Sequence, residues 1–460
     1  MRTRKRVLSL FLSLVLVLLS AAPAFARAAA VSTPTPVIFL AGFGTELYLN
    51  DGTPEEKGVL MGALNTDDIF GALGEAVGTG LRDPLSALCS PSPTADVLSA
   101  FLMNWMGPLA CDENGDSVYP VSNSSRNDRG QDGFYGNRPF YEFHFDWRLD
   151  PMEIAGELRD FIQMVKEETG SEKVNLYALS FGSVICCAYL EQYGAQDLES
   201  LFLCVSAHGG LVLAEDLIVK QLAVSGKGLA AFLAEMLRDE TGQLSLVLSI
   251  MEYAGMFNVL EWLLNKALDA IRDRLYERAI VPLLAQMPAV WAFITDDEIY
   301  ENAKAALLAD TEKYAGLIGK IDAYHYSVGN RANEILKLAA SEIKLGLVCG
   351  YDCAPIPVGK TFLYQSDFLV ATAGASGGAV CADYGKTLPA DYVQAVPCGH
   401  GHISPDRVID ASACALPEQT WFIKGYRHQY EYSGGGIYPW FLAFDGQPTV
   451  FSDAGYPQFR

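Results

Sequence analysis

Positive charge is scarce in this sequence. Lys and Arg number 33 against 55 Asp and Glu, for a formal net charge of −22 at pH 7 over 460 residues. No basic stripe is present, which argues against nucleic acid and anionic membrane surfaces as partners. There is no CxxC pair, so a zinc ribbon has no support. Internal repeats, low-complexity tracts and a surface-anchor signal are missing too. The N-terminal apolar run, Val7 to Ala22, falls short of the ~20 residues a spanning helix needs. Preceded by Arg2, Arg4, Lys5 and Arg6 and followed by Ala24-Phe25-Ala26, it reads as a secretory signal over residues 1–26, with small residues where a signal peptidase cuts. The sequence therefore predicts a secreted, extracellular protein, more acidic by four charges once processed.

All ten cysteines lie beyond that segment, and an even count in an exported protein permits disulfides. Cys186 and Cys187 on an apolar helical run, and Cys204 on an apolar strand, read as buried thiols. Cys89 and Cys111 bracket a loop-rich segment, Cys349 and Cys353 lie close together at a strand end, and Cys381, Cys398 and Cys414 share a further segment; their connectivity is open.

Short apolar stretches at Val37 to Leu40, Phe140 to Phe145, Val174 to Ala178, Leu201 to Val205, Ile343 to Cys349 and Thr420 to Lys424 read as buried strands. Helical patterns at Pro151 to Thr169 and Ser183 to Tyr193 alternate with them, which implies a mostly parallel sheet covered on both faces. From about Leu211 to Ala340 the pattern becomes nearly unbroken helix, including Leu229 to Leu237 and Leu244 to Leu268. Beyond Ser433 the Gly- and aromatic-rich tail has no evident place.

Val174 to Gly182 runs Val-Asn-Leu-Tyr-Ala-Leu-Ser-Phe-Gly, an apolar strand entering a small-x-Ser-x-Gly turn and then a helix. That is the context of a nucleophile elbow: Ala178 and Gly182 are small so that strand and helix can approach, and Ser180 is held strained at the positive end of the helix. The plainer alternative is an ordinary strand-helix turn. The elbow points to an α/β-hydrolase fold, a mostly parallel sheet with helices on both faces and a large helical cap insertion. On that fold, negative charge developing on a substrate oxygen is met by the N–H of the residue after the nucleophile, here Phe181, and by one from an early loop, here Phe43 within Gly42-Phe43-Gly44. The chain order Ser, acid, His restricts the search to residues after Ser180; Asp367, which follows the Ile343 to Cys349 strand, is the expected acid, with Asp352 as rival, and His428, just past the last core strand, the expected general base. His400 and His402 form a Gly-His-Gly-His loop and are rivals for the base, or a metal pair with Asp406 or Asp410, for which two ligands are weak evidence. His144 reads as structural, His208 sits near the expected site, and His325 has no assigned role. Asp112-Glu113-Asn114-Gly115-Asp116 lacks the later glutamate of a calcium loop and reads as a solvated acidic turn.

With these residues in place, the chain resembles the lecithin:cholesterol acyltransferase-like family of lipases and acyltransferases. Val37 to Gly44 is similar to that family's strand and oxyanion loop, Phe145-Asp146-Trp147-Arg148 to its Tyr-Asp-Trp-Arg motif, Ala178 to Gly182 to its nucleophile, and Asp367 to Val370 to its Asp-Gly-Thr-Val acid segment. Met287-Pro288 with Trp291 resembles part of its cap. The resemblance implies a Cys89–Cys111 disulfide closing a lid. The chain departs from the family at Leu179, where a histidine is usual, at Ser183, where glycine is common, and in the interval from Asp367 to His428, which His402 would shorten toward the usual one. His428 is preferred because it follows a strand.

The expected division is a signal peptide over 1–26, a first core part over 31–210 with a lid loop over 48–138, a helical cap over 211–340, a second core part over 341–432 and a tail over 433–460. The expected chemistry is attack by Ser180 on an ester carbonyl, with His428 and Asp367 in support, needing no metal or organic cofactor. A lipid or other acyl ester is the expected substrate, with transient lipid-surface contact through cap segments such as Met251 to Leu264, for which ordinary cap core is the plainer reading. No protein partner is indicated. Alternatives are a hydrolase-fold binding protein without catalysis, or a serine hydrolase of peptides or thioesters.

Overall fold

The computed structural model of the chain describes residues 34–43, 47–49, 58–61, 91–122, 131–236, 242–360, 362–429 and 431–460. The expected signal peptide, about half of the expected lid loop, Gly44 and Cys89 lie outside them.

The strands are β1 (Val37–Leu40), β2 (Leu47–Leu49), β3 (Gly58–Met61), β4 (Val121–Ser122), β5 (Gly133–Tyr135), β6 (Arg138–Phe143), β7 (Val174–Leu179), β8 (Leu198–Cys204), β9 (Lys344–Tyr351), β10 (Val380–Cys381), β11 (Ile409–Asp410) and β12 (Thr420–Lys424). Seven of them form the main sheet in the order β12-β9-β8-β7-β1-β6-β5. All neighbours in it are parallel except the β5–β6 hairpin. The chain leaves β1 toward β6 on one side and returns to β7 on the other. A crevice therefore opens at the carboxyl ends of β1 and β7, where α/β sheets hold their ligands. This order, with a large helical insertion between β8 and β9, is that of an α/β-hydrolase fold.

The central strand β7 is buried at every position, as expected of a parallel strand covered on both faces. Its one strongly polar residue, Asn175, is satisfied: its amide reaches the Thr35 and Pro36 carbonyls at 3.2 and 3.3 Å and its oxygen accepts from Ser200 Oγ at 2.6 Å. Alternate residues of the sheet face two cores. Ile38, Leu40, Leu176, Ala178, Leu201 and Leu203 meet helices α1 (Pro151–Thr169) and α2 (Gly182–Tyr193). The helix α1 starts where Asp150 Oδ1 accepts the Met152 N–H at 2.9 Å, carries Pro151 in its first turn, and stops at Gly170 in a left-handed conformation, φ 68°.

Val37, Phe39, Tyr177, Phe202, Val348 and Trp421 face the other way, and the tail covers them. Its short helix Tyr438–Ala443 lays Tyr438 on Tyr177 and on Phe202, centroids 4.5 and 4.9 Å apart, and Phe441 on Phe202 at 5.0 Å. Burying each such ring stabilises by roughly 2 kcal/mol. At its end the tail runs beside β12: Phe422 N–H donates to the Gln458 carbonyl at 2.7 Å, Arg460 N–H to Phe422 at 3.0 Å, and Lys424 N–H to Arg460 at 2.8 Å. The tail thus extends the sheet and closes its second face.

Between β8 and β9 lie helices α3 (Val212–Ile218), α4 (Gly226–Met236), α5 (Gly242–Tyr253) and α6 (Met256–Leu275), followed by further helical segments to Ala339. The single helix expected over Leu244 to Leu268 is in fact two, broken at Gly255, whose φ of 70° is left-handed and reverses the chain. Beyond this hairpin, Trp291, Tyr300, Leu317, Ile321 and Leu336 join the same core as the sheet.

Candidate active site

The turn after β7 places Ser180 at φ 52°, a left-handed conformation that costs a non-glycine residue about 1–3 kcal/mol. Several bonds hold it there. Ser180 N–H donates to Cys204 O at 3.1 Å, and the Ser180 carbonyl accepts from Ser183 Oγ and Ser183 N–H at 2.5 and 3.0 Å. Close approach dictates two glycines. A Cβ on Gly182 would lie 2.8 Å from the Leu40 carbonyl oxygen, and one on Gly42 would lie 2.8 Å from Ser180 Cβ. Ser183, where glycine is common in the resembling family, uses its hydroxyl to brace the turn.

His428 lies four residues past β12, with Nε2 2.9 Å from Ser180 Oγ and Nδ1 2.8 Å from Asp367 Oδ2. Since the carboxylate accepts at Nδ1, that nitrogen carries the proton and Nε2 is left to accept from the serine hydroxyl. The other oxygen of Asp367 accepts from the Leu369 and Val370 N–H groups at 3.0 and 2.7 Å, and His428 N–H donates to the Asp367 carbonyl at 2.7 Å, so acid and base loops are joined by backbone as well. The Asp367 side chain is 1% exposed and that of His428 14%, so the acid is sealed from water while the imidazole keeps limited access to it. Gly350 on β9 permits the closure, because a Cβ there would lie 2.0 Å from the Tyr426 carbonyl and 2.8 Å from Asp367 Cβ.

Phe181 directly precedes α2, so its N–H has no acceptor within that helix. Phe43 follows β1 across the crevice from it, and the rings of Phe43 and Phe181 are 6.0 Å apart. Trp147 packs on Phe43 at 4.0 Å, and Phe293, from the insertion, closes the group at 5.3 Å from Phe181 and 5.7 Å from Phe43. The Asp-Trp-Arg motif has a second task. Arg148, fully buried, donates to both oxygens of Asp146 at 2.9 and 2.6 Å, to the Leu109 carbonyl at 2.9 Å and to Ser117 Oγ at 2.7 Å, tying segment 109–117 beneath the Trp147–Phe43 contact.

The rival residues lie elsewhere. Asp352 faces Lys424 at 3.6 Å, His402 is buried with Nδ1 2.8 Å from Gln458 Oε1, and His400 is near Glu418 at 3.6 Å. Among the described residues no group of three or more His, Cys, Asp and Glu side chains is placed to hold a metal ion. Asp112 turns its carboxylate onto the Asn114 and Asp116 N–H groups, and Asp116 pairs with Lys320. His144 is exposed beyond β6 rather than packed within a strand, because β6 ends at Phe143. His325 is buried, stacked on Tyr300 at 3.7 Å and bonded to Asp297 at 2.9 Å. The nine cysteines among the described residues are free thiols, so the expected disulfides are not formed there, and the partner assigned to Cys111 lies outside them. Burial pushes the Cys111 thiol up to about 12.

Sequence reasoning missed Phe293, Gly350, and the pair Glu235 and Arg427 beside the base. The position of Arg427, next to His428, was the one available signal.

No protein-family model matches the chain, and no curated protein matches it. Among solved structures it is similar to that of the Tle4–Tli4 complex, at 14% identity over 69% of this chain and 75% of that one, with a TM-score of 0.28. It is also similar to the esterase RhEst1 from Rhodococcus sp. ECU1013, at 12% identity over 75% and 77%, with a TM-score of 0.22.

Proposed function

We propose that this chain is a secreted serine hydrolase that cleaves carboxylic esters of lipids through an acyl-enzyme, a chemistry of the lecithin:cholesterol acyltransferase-like family it resembles in sequence. The observation that carries this reading is the unbroken hydrogen-bonded line from Ser180 through His428 to Asp367 at the switch point of the sheet. Ser180 Oγ adds to the ester carbonyl as its proton passes to His428 Nε2, and Asp367 stabilises the imidazolium. The N–H groups of Phe43 and Phe181 receive the oxyanion. Collapse breaks the bond to the alcohol, which leaves with the proton from His428. Water, or a second alcohol in a transferase reaction, then adds to the acyl-enzyme by the reverse route. The apolar cluster of Phe43, Trp147, Phe181 and Phe293, which follows directly on the nucleophile at Phe181, supports an apolar acyl group in this reading.

Contact with a lipid surface is part of this proposal. Ile250, Tyr253, Met256, Val259 and Trp262 project from the α5–α6 hairpin, Tyr253 at 96% exposure and Trp262 at 61%. Glu252 and Glu261 flank this ridge, so it suits an uncharged or zwitterionic surface rather than an anionic one.

The test compares wild type with Ser180→Ala on p-nitrophenyl esters of increasing chain length, alongside labelling by a fluorophosphonate. Loss of labelling and a drop in kcat of roughly 10⁴-fold or more are expected for the variant, with long chains preferred by wild type. A folded wild type that neither labels nor hydrolyses any ester overturns the reading.

A further inference from the structure

One turn of helix α4, far from the catalytic residues in sequence, touches both loops that carry them. Phe232 and Glu235 are three residues apart and so share a face of the helix. Phe232 stacks on Phe368 with centroids 5.2 Å apart and planes at 30°. Phe368 directly follows the acid Asp367 and is itself held at φ 96°, a conformation that needs support from its surroundings. On the same face, Glu235 Oε1 accepts from Arg427 at 3.0 Å, and the guanidinium also reaches the Glu235 carbonyl at 3.3 Å. Arg427 directly precedes the base His428. The Glu235 side chain is 1% exposed and that of Arg427 41%, so the carboxylate is committed to the contact while the guanidinium keeps access to water. A cation on carbonyls near a helix C-terminus is also favoured by the helix dipole.

The helix is fixed at its other end. The Gly228 N–H is capped by Ser225 Oγ at 3.1 Å, Gly226 N–H donates to Glu261 Oε2 on α6 at 2.8 Å, and a Cβ on Gly226 would lie 2.5 Å from the Phe257 carbonyl. The α4 turn is therefore a bracket, anchored in the insertion and holding the acid loop through one side chain and the base loop through the other.

We propose that Phe232 and Glu235 are positioning residues for the catalytic machinery, holding the Asp367 and His428 loops so that the imidazole stays in line between carboxylate and serine. This rests on the serine hydrolase reading. The ester itself is not touched by either residue in this role, so their loss acts on turnover rather than on substrate binding.

The experiment uses the whole protein with Glu235→Gln, Phe232→Ala and Phe232→Tyr. On a short soluble ester, kcat falls roughly 10-fold for each of the first two with KM little changed. The acid limb of kcat/KM against pH moves to lower pH, since a loosened carboxylate favours the imidazolium less. Phe232→Tyr, which keeps the ring, restores both. Proton NMR of the His428 Nδ1–H reads the same contact without turnover, its downfield resonance weakening in Glu235→Gln. Arg427 keeps access to water in that variant, and a melting curve checks that it is folded. A fall in melting temperature with kcat, pH profile and resonance unchanged overturns the proposal in favour of plain packing, and a rise in KM alone overturns it in favour of a substrate-lining role. Should wild type hydrolyse no ester, the hydrolase reading fails, while the NMR comparison still decides whether α4 holds the pair.

Discussion

His208 sits just past β8, 1% exposed, with Ser206 Oγ 2.6 Å from Nδ1 and Asn333 Oδ1 3.3 Å from Nε2. Burial pushes it down to about 4, below the ordinary 6.5. The folded protein therefore keeps it neutral while the unfolded chain takes up a proton below pH 6.5, so its contribution to stability is lost as pH falls from 6.5 through 4, on the order of 3 kcal/mol in all. Two carboxyls act with the opposite sign. Burial raises Glu215 to about 7 and Asp150 to about 6, so these bind protons first in the folded state and favour it as pH falls. The expected result is thus a difference: the melting temperature of His208→Gln minus that of wild type rises as pH falls from 6.5 to 4, where the carboxyl contributions cancel. A difference that is flat across that range would refute the assignment. At this scale, Ser180, Asp367 and His428 were legible because each follows a recognisable strand in a fixed chain order. Glu235 and Arg427 were not, since their pairing spans 192 residues and leaves no local pattern.

Elements were legible where burial imposes a local pattern. β1, β12 and α1 have the expected bounds, because both faces of the strands are covered and α1 carries its own start and stop signals. The break at Gly255 was hidden by the apolar residues on either side of it. The tail was opaque for a different reason: its contacts, Tyr438 on Tyr177 and Gln458 on β12, are made with residues far away in the chain. Deleting residues 457–460 tests what it does. The deletion removes three backbone hydrogen bonds to β12, the Phe459–Phe422 stack at 5.6 Å, and the Gln458 partner of His402. A loss of about 3 kcal/mol is expected, seen as a melting temperature lower by a few degrees, together with reduced kcat because the base loop leaves β12 directly. Unchanged melting would show that the tail merely lies on the sheet.

At the scale of the whole molecule, the acidic net charge and the apolar ridge of the insertion make a joint prediction. Trp262→Ser and Val259→Ser should weaken binding to phosphatidylcholine vesicles, by roughly 10-fold for the pair, and slow hydrolysis of long-chain esters presented on them, while leaving turnover of a soluble short ester unaltered. Equal loss on both substrates would place the ridge in the fold rather than at a surface. Binding that strengthens on anionic vesicles would contradict the charge argument. The fold class was legible from alternation of strands and helices, whereas the sharing of the sheet's core by helices as far on as Leu336 was not, because a helical pattern does not say what it packs against. The separation of the reacting groups along the chain also sets an order in time. A ribosome makes Ser180 and its elbow well before Asp367, and Asp367 before His428. A nascent chain thus presents the elbow serine before the imidazole that faces it exists, so the line from Ser180 to Asp367 can be assembled only once His428 has been made.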